Sequence, residues 1–212
     1  MTRTVLCFGD SNTHGTMPME TLTSSRRHAP EDRWPRAAEA ALGAGWQVIE
    51  EGLPGRTAQF PDPVMGDHMD GRMGLRIALA SHRPVDVLAI MLGTNDTKAM
   101  FGADARRVAA GLAGLLAMAN DVMVQEAHGG FRVLLICPPP VLEQGPIARQ
   151  FAGARETSLA LPPLLRDLAA TWGAGFLDAG SVIEVSPVDG VHFDAEAQRS
   201  LGRAVAGAIE AL

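Results

Sequence analysis

Five short apolar runs constrain this chain more than any other feature. They are Val5-Leu6-Cys7-Phe8, Trp46-Gln47-Val48-Ile49, Val85 to Leu92, Arg132 to Cys137 and Gly175-Phe176-Leu177. A strand with one wet face alternates apolar and polar residues. These runs barely alternate, and the third reads Val-Asp-Val-Leu-Ala-Ile-Met-Leu. Such runs suit parallel strands, whose crossover helices cover both faces of the sheet.

Helical patterns lie between the runs. Trp34 to Leu42 is Ala-rich, with Pro35 at a first-turn position where a missing N–H costs nothing. Met69 to His82 carries Met73, Ile77 and Ala80 on one face. Ala103 to Ala127 reads as one long helix, and Phe151 to Trp172 must kink or split at Pro162-Pro163. Ala195 to Leu212 sets Leu201, Val205, Ile209 and Leu212 at helical spacing behind Asp194, a good N-cap. The alternation predicts an α/β fold: a three-layer α/β/α sandwich around a five-stranded parallel sheet with right-handed crossovers. No linker, repeat or low-complexity tract interrupts it, so residues 1–212 read as one domain.

At 212 residues the chain can bury roughly 70% of its unfolded surface. Its net charge is −6, and Arg26-Arg27 and Arg106-Arg107 are isolated basic pairs, which argues against a nucleic-acid face. The longest apolar run, Val108 to Ala119, is too short and too rich in Gly and Ala to span a bilayer. Met1-Thr2-Arg3 leads straight into the first strand, with no apolar region of a signal peptide. Cytoplasmic residence without a membrane partner is therefore expected. Cys7 and Cys137 sit in buried-strand runs and read as reduced core thiols.

Three connections are long: Thr13 to Arg33, Gly52 to Asp67 and Pro138 to Gln150. Each follows a strand, so all should meet at the carboxyl edge of the sheet, where open α/β sheets bind ligands. Four motifs fall at the same edge. Gly9-Asp10-Ser11-Asn12 follows the first strand and would expose the Ser11 hydroxyl; a helix cap or turn is the plainer reading. Asp189-Gly190-Val191-His192 can fold back so that the carboxylate meets imidazole Nδ1, which leaves Nε2 for a serine; it can also be an ordinary Gly turn. Gly93-Thr94-Asn95-Asp96 ends the central strand, and Asn95 is either a helix cap or an amide donor to an oxyanion. Pro54-Gly55 after the second strand is a turn, or a place where the Gly55 N–H becomes a second donor. Together they supply nucleophile, base, orienting acid and oxyanion donors, a complete set for acyl transfer.

The order Gly-Asp-Ser, Gly, Gly-x-Asn-Asp and Asp-x-x-His, spread over essentially the whole chain, resembles the SGNH (GDSL) hydrolase family. Glu-Glu-Gly-Leu, Met-Leu-Gly-Thr-Asn-Asp-Thr-Lys and Phe-x-Asp-Ala-Gly-Ser-Val-Ile are similar to its bacterial arylesterase/acyltransferase branch. That branch contains oligomeric enzymes with some acyl-transfer and perhydrolysis activity. The resemblance implies a flavodoxin-like sheet, catalytic Ser11, Asp189 and His192, and an oxyanion hole of Ser11, Gly55 and Asn95. It implies no cofactor and no metal, a small-molecule ester substrate, and a homo-oligomer. Asn12 departs from the Leu of many members and should make the pocket beside Ser11 more polar.

Trp34, Leu53, Phe60, Ile147 and Phe151 lie in or near the long loops and are candidates for a pocket or a subunit interface. Asp10, Asn12, Thr94, Lys98 and Val191 flank the motif residues and complete the expected pocket. His14, His28, His68, His82 and His128 read as surface or capping histidines, and Asp178 is a weaker rival to Asp189. The expected activity is hydrolysis of short-chain and aryl carboxylic esters, with acyl transfer to alcohols or peroxide as an extension. Deacetylation of acetylated carbohydrates, or a lipase or thioesterase activity, is the alternative on the same site. Two other readings remain: a phosphatase using Asp10, which wants a second Asp where Asn12 stands, and a non-catalytic ester- or carbohydrate-binding module.

Overall fold

In a computed structural model, which describes residues 2–212, the five runs form one parallel sheet in the order β2-β1-β3-β4-β5. The strands are β1 (Arg3–Gly9), β2 (Trp46–Gly52), β3 (Val87–Met91), β4 (Arg132–Cys137) and β5 (Gly175–Asp178). β2 runs further than its apolar residues, through Glu50-Glu51-Gly52. It is an edge strand, and an edge tolerates charge. Gly9 pairs with both Gly52 and Met91, so the first three strands end together. Whatever follows them shares one edge, and the strand order reverses there, between β1 and β3.

Eight helices complete the described chain: α1 (Ser11–His14), α2 (Trp34–Leu42), α3 (Gly71–Ser81), α4 (Ala105–Ala119), α5 (Val122–His128), α6 (Ala154–Leu159), α7 (Leu161–Thr171) and α8 (Ala195–Glu210). Side chains alternate across β1, which explains its apolar run. Leu6 and Phe8 face Leu75 of α3, Leu112 and Leu116 of α4 and Leu165 of α7. Val5 and Cys7 face Trp34 and Ala38 of α2 and Leu201, Val205 and Ile209 of α8. Both cysteines are free and buried. Among the described residues no single helix is long and apolar enough to cross a membrane.

Three local expectations change. The segment read as one helix over 103–127 is two, because Asn120 closes α4 and Asp121 caps α5, accepting from the N–H groups of Met123 and Val124. On α3 the core face is Leu75, Ala78 and Leu79, whereas Met73 and Ile77 are 51% and 65% exposed and Ala80 is exposed. Both stripes have helical spacing, so periodicity could not choose between them. Trp34, expected at the pocket, is fully buried between α2 and α8. The 151–172 segment splits before Pro162-Pro163, as proline requires, into α6 and α7.

The α2–α8 contact rests on Gly202, where an added Cβ would lie 2.5 Å from Ala37 Cβ and 2.6 Å from the Trp34 carbonyl oxygen. Alanine gains about 1 kcal/mol over glycine in helix propensity. Overpacking against backbone costs about 1–3 kcal/mol. Gly202→Ala is therefore expected to lower the urea midpoint; an unchanged or raised midpoint would show that the two helices can part freely.

Candidate active site

Asp10 ends the first strand and caps α1, its Oδ1 accepting the Asn12 N–H at 2.9 Å. This cap puts Ser11 at the first position of a four-residue helix that Gly15 closes. The Ser11 Oγ lies 3.0 Å from His192 Nε2, and His192 Nδ1 lies 2.6 Å from Asp189 Oδ2. Asp189 is fully buried. Its Oδ1 accepts the N–H groups of Val191 and His192, and its Oδ2 also accepts the Met19 N–H. Burial pushes its pKa up, but the hydrogen bond and charge of His192 and the N–H donors outweigh that and hold it below the usual carboxylate range. The Asp-Gly-Val-His run thus folds back on itself, and the imidazole is held in one orientation.

The oxyanion candidates stand opposite. Gly55 has φ +92°, a left-handed conformation that costs glycine little. Among the described residues the backbone N–H groups of Ser11 and Gly55 meet no acceptor. Asn95 Nδ2 donates to the Arg56 carbonyl at 3.1 Å and, at a longer 3.4 Å, to Asp10 Oδ2. These groups frame a cavity of about 390 Å³ with Ser11 and His192 on its wall. The first long loop contributes His14, Met19, Arg26 and Arg27, the second Pro54, Gly55 and Met65, and the third Ile147 and Gln150.

Four of the expected pocket residues line this cavity: Lys98, Ile147, Phe151 and Val191. The others do not. Trp34 belongs to the core. Leu53 is half-buried and donates its N–H to the Gly9 carbonyl, pinning the second loop to β1. Thr94 is buried, and its carbonyl takes the Thr97 hydroxyl. Asn12 adds no polarity to the wall: it is buried and its Nδ2 donates to the Val191 carbonyl at 3.2 Å. Asp10 lies under Asn95, fully enclosed, which removes it as a phosphatase nucleophile. Phe60 stacks on Phe101, with centroids 4.8 Å apart, outside the cavity. Asp178 caps a turn through the Gly180 N–H.

Two histidines differ from expectation. His28 is buried with Nε2 3.0 Å from the Phe193 carbonyl, and His128 is buried with Nδ1 accepting the Val85 N–H. His82 ends α3 half-buried, 2.8 Å from Glu51 Oε1, and His68 is exposed. Among the described residues no three His, Cys, Asp or Glu side chains are gathered so as to hold a metal ion. A separate hollow of about 540 Å³ between α3, α4 and α5 holds His128 but no serine.

Several supporting residues escaped the sequence reading. Arg56 is buried under the site, donates to the carbonyls of Gly9 and Glu51, and stacks 4.2 Å over Phe8. Gln198 of α8 is fully buried, donates to the Asn12 carbonyl and accepts the Trp34 N–H. Asp96 grips the Ala58 N–H with both oxygens, at 3.0 and 2.8 Å, and so ties the loop after β3 to the loop after β2.

A hydrogen-bonded Ser-His-Asp file at the carboxyl edge of a parallel sheet is the equipment of a serine hydrolase. The chain belongs to the GDSL-like lipase/acylhydrolase family, whose model matches residues 7–199. Its five-stranded parallel sheet between helices is the SGNH hydrolase α/β/α fold. Among solved structures it is similar to a carbohydrate acetylesterase from Sinorhizobium meliloti, at 37% identity and TM-score 0.92 over 99% of both chains. It is also similar to an aryl esterase from M. smegmatis, at 36% identity and TM-score 0.93 over 99% of both chains. A carbohydrate acetylesterase family member from Sinorhizobium meliloti shares 39% identity, with TM-score 0.90, over 99% of this chain and 98% of that one. No curated protein matches the sequence significantly.

Burial pushes the Asp10 pKa up to about 6 and that of Asp96 up to about 7, above the 3.8 of a free Asp. Between those limits the folded chain holds protons that the unfolded chain has lost. The stability from these two groups is thus complete below about pH 4 and is lost as pH rises through 6 to 7. Asp189, shifted the other way, loses its contribution only below the usual range. His14 and His128, whose pKa values burial lowers, act the other way in the same window, so the test is differential: the wild-type urea midpoint should fall relative to that of Asp96→Asn from pH 5 to pH 8. Equal slopes in variant and wild type would count against Asp96 as the source.

Proposed function

We propose that this chain is a serine esterase of short-chain acyl esters, aryl and carbohydrate acetates foremost, working through an acyl-enzyme on Ser11. The reading is carried by the file Ser11 Oγ–His192 Nε2 and His192 Nδ1–Asp189, at 3.0 and 2.6 Å, opening on a cavity beside uncommitted N–H groups. The aryl esterase and carbohydrate acetylesterases among its structural relatives support the same class.

In this mechanism His192 takes the Ser11 proton as Oγ attacks the ester carbonyl. The charge that develops on oxygen is met by the N–H groups of Ser11 and Gly55 and by the Asn95 amide. His192 then protonates the departing alkoxide or phenoxide. Water, activated by the same imidazole, attacks the acyl-enzyme and frees the acid; an alcohol or peroxide in its place gives acyl transfer. Asp189 holds the imidazole with Nδ1 protonated and offsets its positive charge during each transfer. Met65, Met19, Ile147 and Phe151 form the apolar part of the wall, suited to a small acyl or aryl group.

Ser11→Ala is expected to abolish hydrolysis of 4-nitrophenyl acetate and labelling by a fluorophosphonate while leaving the thermal transition in place. Full activity in that variant would sink the proposal. Asn95→Ala should lower kcat by roughly 100- to 1000-fold, the worth of one oxyanion donor. A change in KM alone would place Asn95 outside the oxyanion hole.

A further inference from the structure

Lys98 is 7% exposed, yet it lines the Ser11 cavity and also a second cavity of about 600 Å³ beside it. The two cavities share Met65, Lys98 and Gln150, so they adjoin along those residues. The nearest carboxylate, Asp62 Oδ2, is 3.7 Å from Nζ, an ion-pair distance longer than a hydrogen bond. Asp62 is engaged elsewhere, its Oδ1 holding the N–H groups of Val64 and Met65. Among the described residues no acceptor lies within 3.5 Å of the Lys98 ammonium, and Nζ is not among the fully enclosed polar atoms, so it opens on the cavities. Burial also lowers its pKa, against the pull of Asp62 and Asp10.

Asp62 is the one carboxylate that lines either cavity among the described residues, and the Lys and Arg side chains there outnumber it. No Asp or Glu lines the Ser11 cavity, in a chain of net charge −6. Arg26, paired with Glu20, and Arg27 stand at its rim, and Arg149 lines the second cavity with no ion-pair partner among the described residues. Arg27 shares the carboxylate of Glu50 with Arg33 and Arg36, and Arg36 also pairs with Glu39, so three arginines there meet two carboxylates.

We propose that Lys98 makes the site selective for esters that carry an anionic group, in the simplest case a carboxylate, beside the bond that is cut. The inference rests on the esterase reading above. The anion takes the N–H donors of Lys98 at the junction of the cavities, and Arg26, Arg27 and Arg149 raise its local concentration.

Matched esters test this, each rate divided by its hydroxide-catalysed rate. The pair 4-acetoxybenzoate and 4-acetoxybenzamide sets the charge on the alcohol side. The pair phenyl hemisuccinate and its methyl ester sets it on the acyl side. In at least one pair kcat/KM should favour the anion about tenfold at low salt, as a charge-assisted hydrogen bond allows. That ratio should fall toward one in Lys98→Gln and persist in Lys98→Arg, and about 0.5 M NaCl should lower it only in part, by screening the exposed rim arginines. A ratio near one in both pairs, or one that survives in Lys98→Gln, overturns the proposal. Should Lys98→Gln not fold, Lys98→Met takes its place, and an anion preference that survives in it overturns the proposal. Hydrolysis of the neutral esters without anion preference removes this inference alone. Failure on all four esters removes the esterase reading, and this inference falls with it.

Discussion

The common end of β1, β2 and β3 is the constraint on which the rest of the molecule depends. Gly9 pairs with Gly52 on one side and Met91 on the other, so three chain segments leave the sheet at one level. Arg56 secures that level by donating to the carbonyls of Gly9 and Glu51. Its own carbonyl then receives Asn95. One buried guanidinium therefore sets the height of the Ser11 turn, the Gly55 turn and the Asn95 amide together. A buried Arg is costly unless its N–H groups are met. Here two backbone carbonyls take Nη1 and the guanidinium lies over the Phe8 ring, while Nε has no partner; burial pulls the pKa down to about 10.

The second half of the site comes from the far end of the chain and is joined by different means. Asp189 binds four donors, among them the Met19 N–H from the first loop. Asn12 reaches the Val191 carbonyl, and Gln198 reaches the Asn12 carbonyl. The Ser11–His192 bond is thus enclosed by hydrogen bonds between the same two segments, about 180 residues apart in sequence. Such redundancy holds reacting groups to the fractions of an ångström that proximity effects demand.

What was legible in the sequence was chemical type at strand ends. Ser11, Asn95, Asp189 and His192 are short polar runs against long apolar ones, and the spacing of Asp189 to His192 permits few conformations. What was hidden depended on which way a side chain turns. Trp34 adjoins a long loop, but it opens a helix whose buried stripe faces α8. Met73 and Ile77 obey helical periodicity as well as Leu75 and Leu79 do. Met19 comes from a loop with no period to read, and Gln198 is a buried amide on a helix whose apolar stripe alone was visible.

The Asn95 amide shows how the resting site is poised. Both of its N–H groups have protein acceptors, the Arg56 carbonyl at 3.1 Å and Asp10 at 3.4 Å. In the proposed mechanism an oxyanion takes one of them, and the longer bond is the cheaper to give up. Asp10 then loses a donor just as negative charge gathers near it, which would penalise an ionised carboxylate. Burial raises the Asp10 pKa only to about 6, so above neutral pH it is mainly a carboxylate beside the site. The donor that Asn95 gives up in the proposed mechanism therefore comes from its longer, 3.4 Å contact, while the 3.1 Å bond to the Arg56 carbonyl keeps the amide in place.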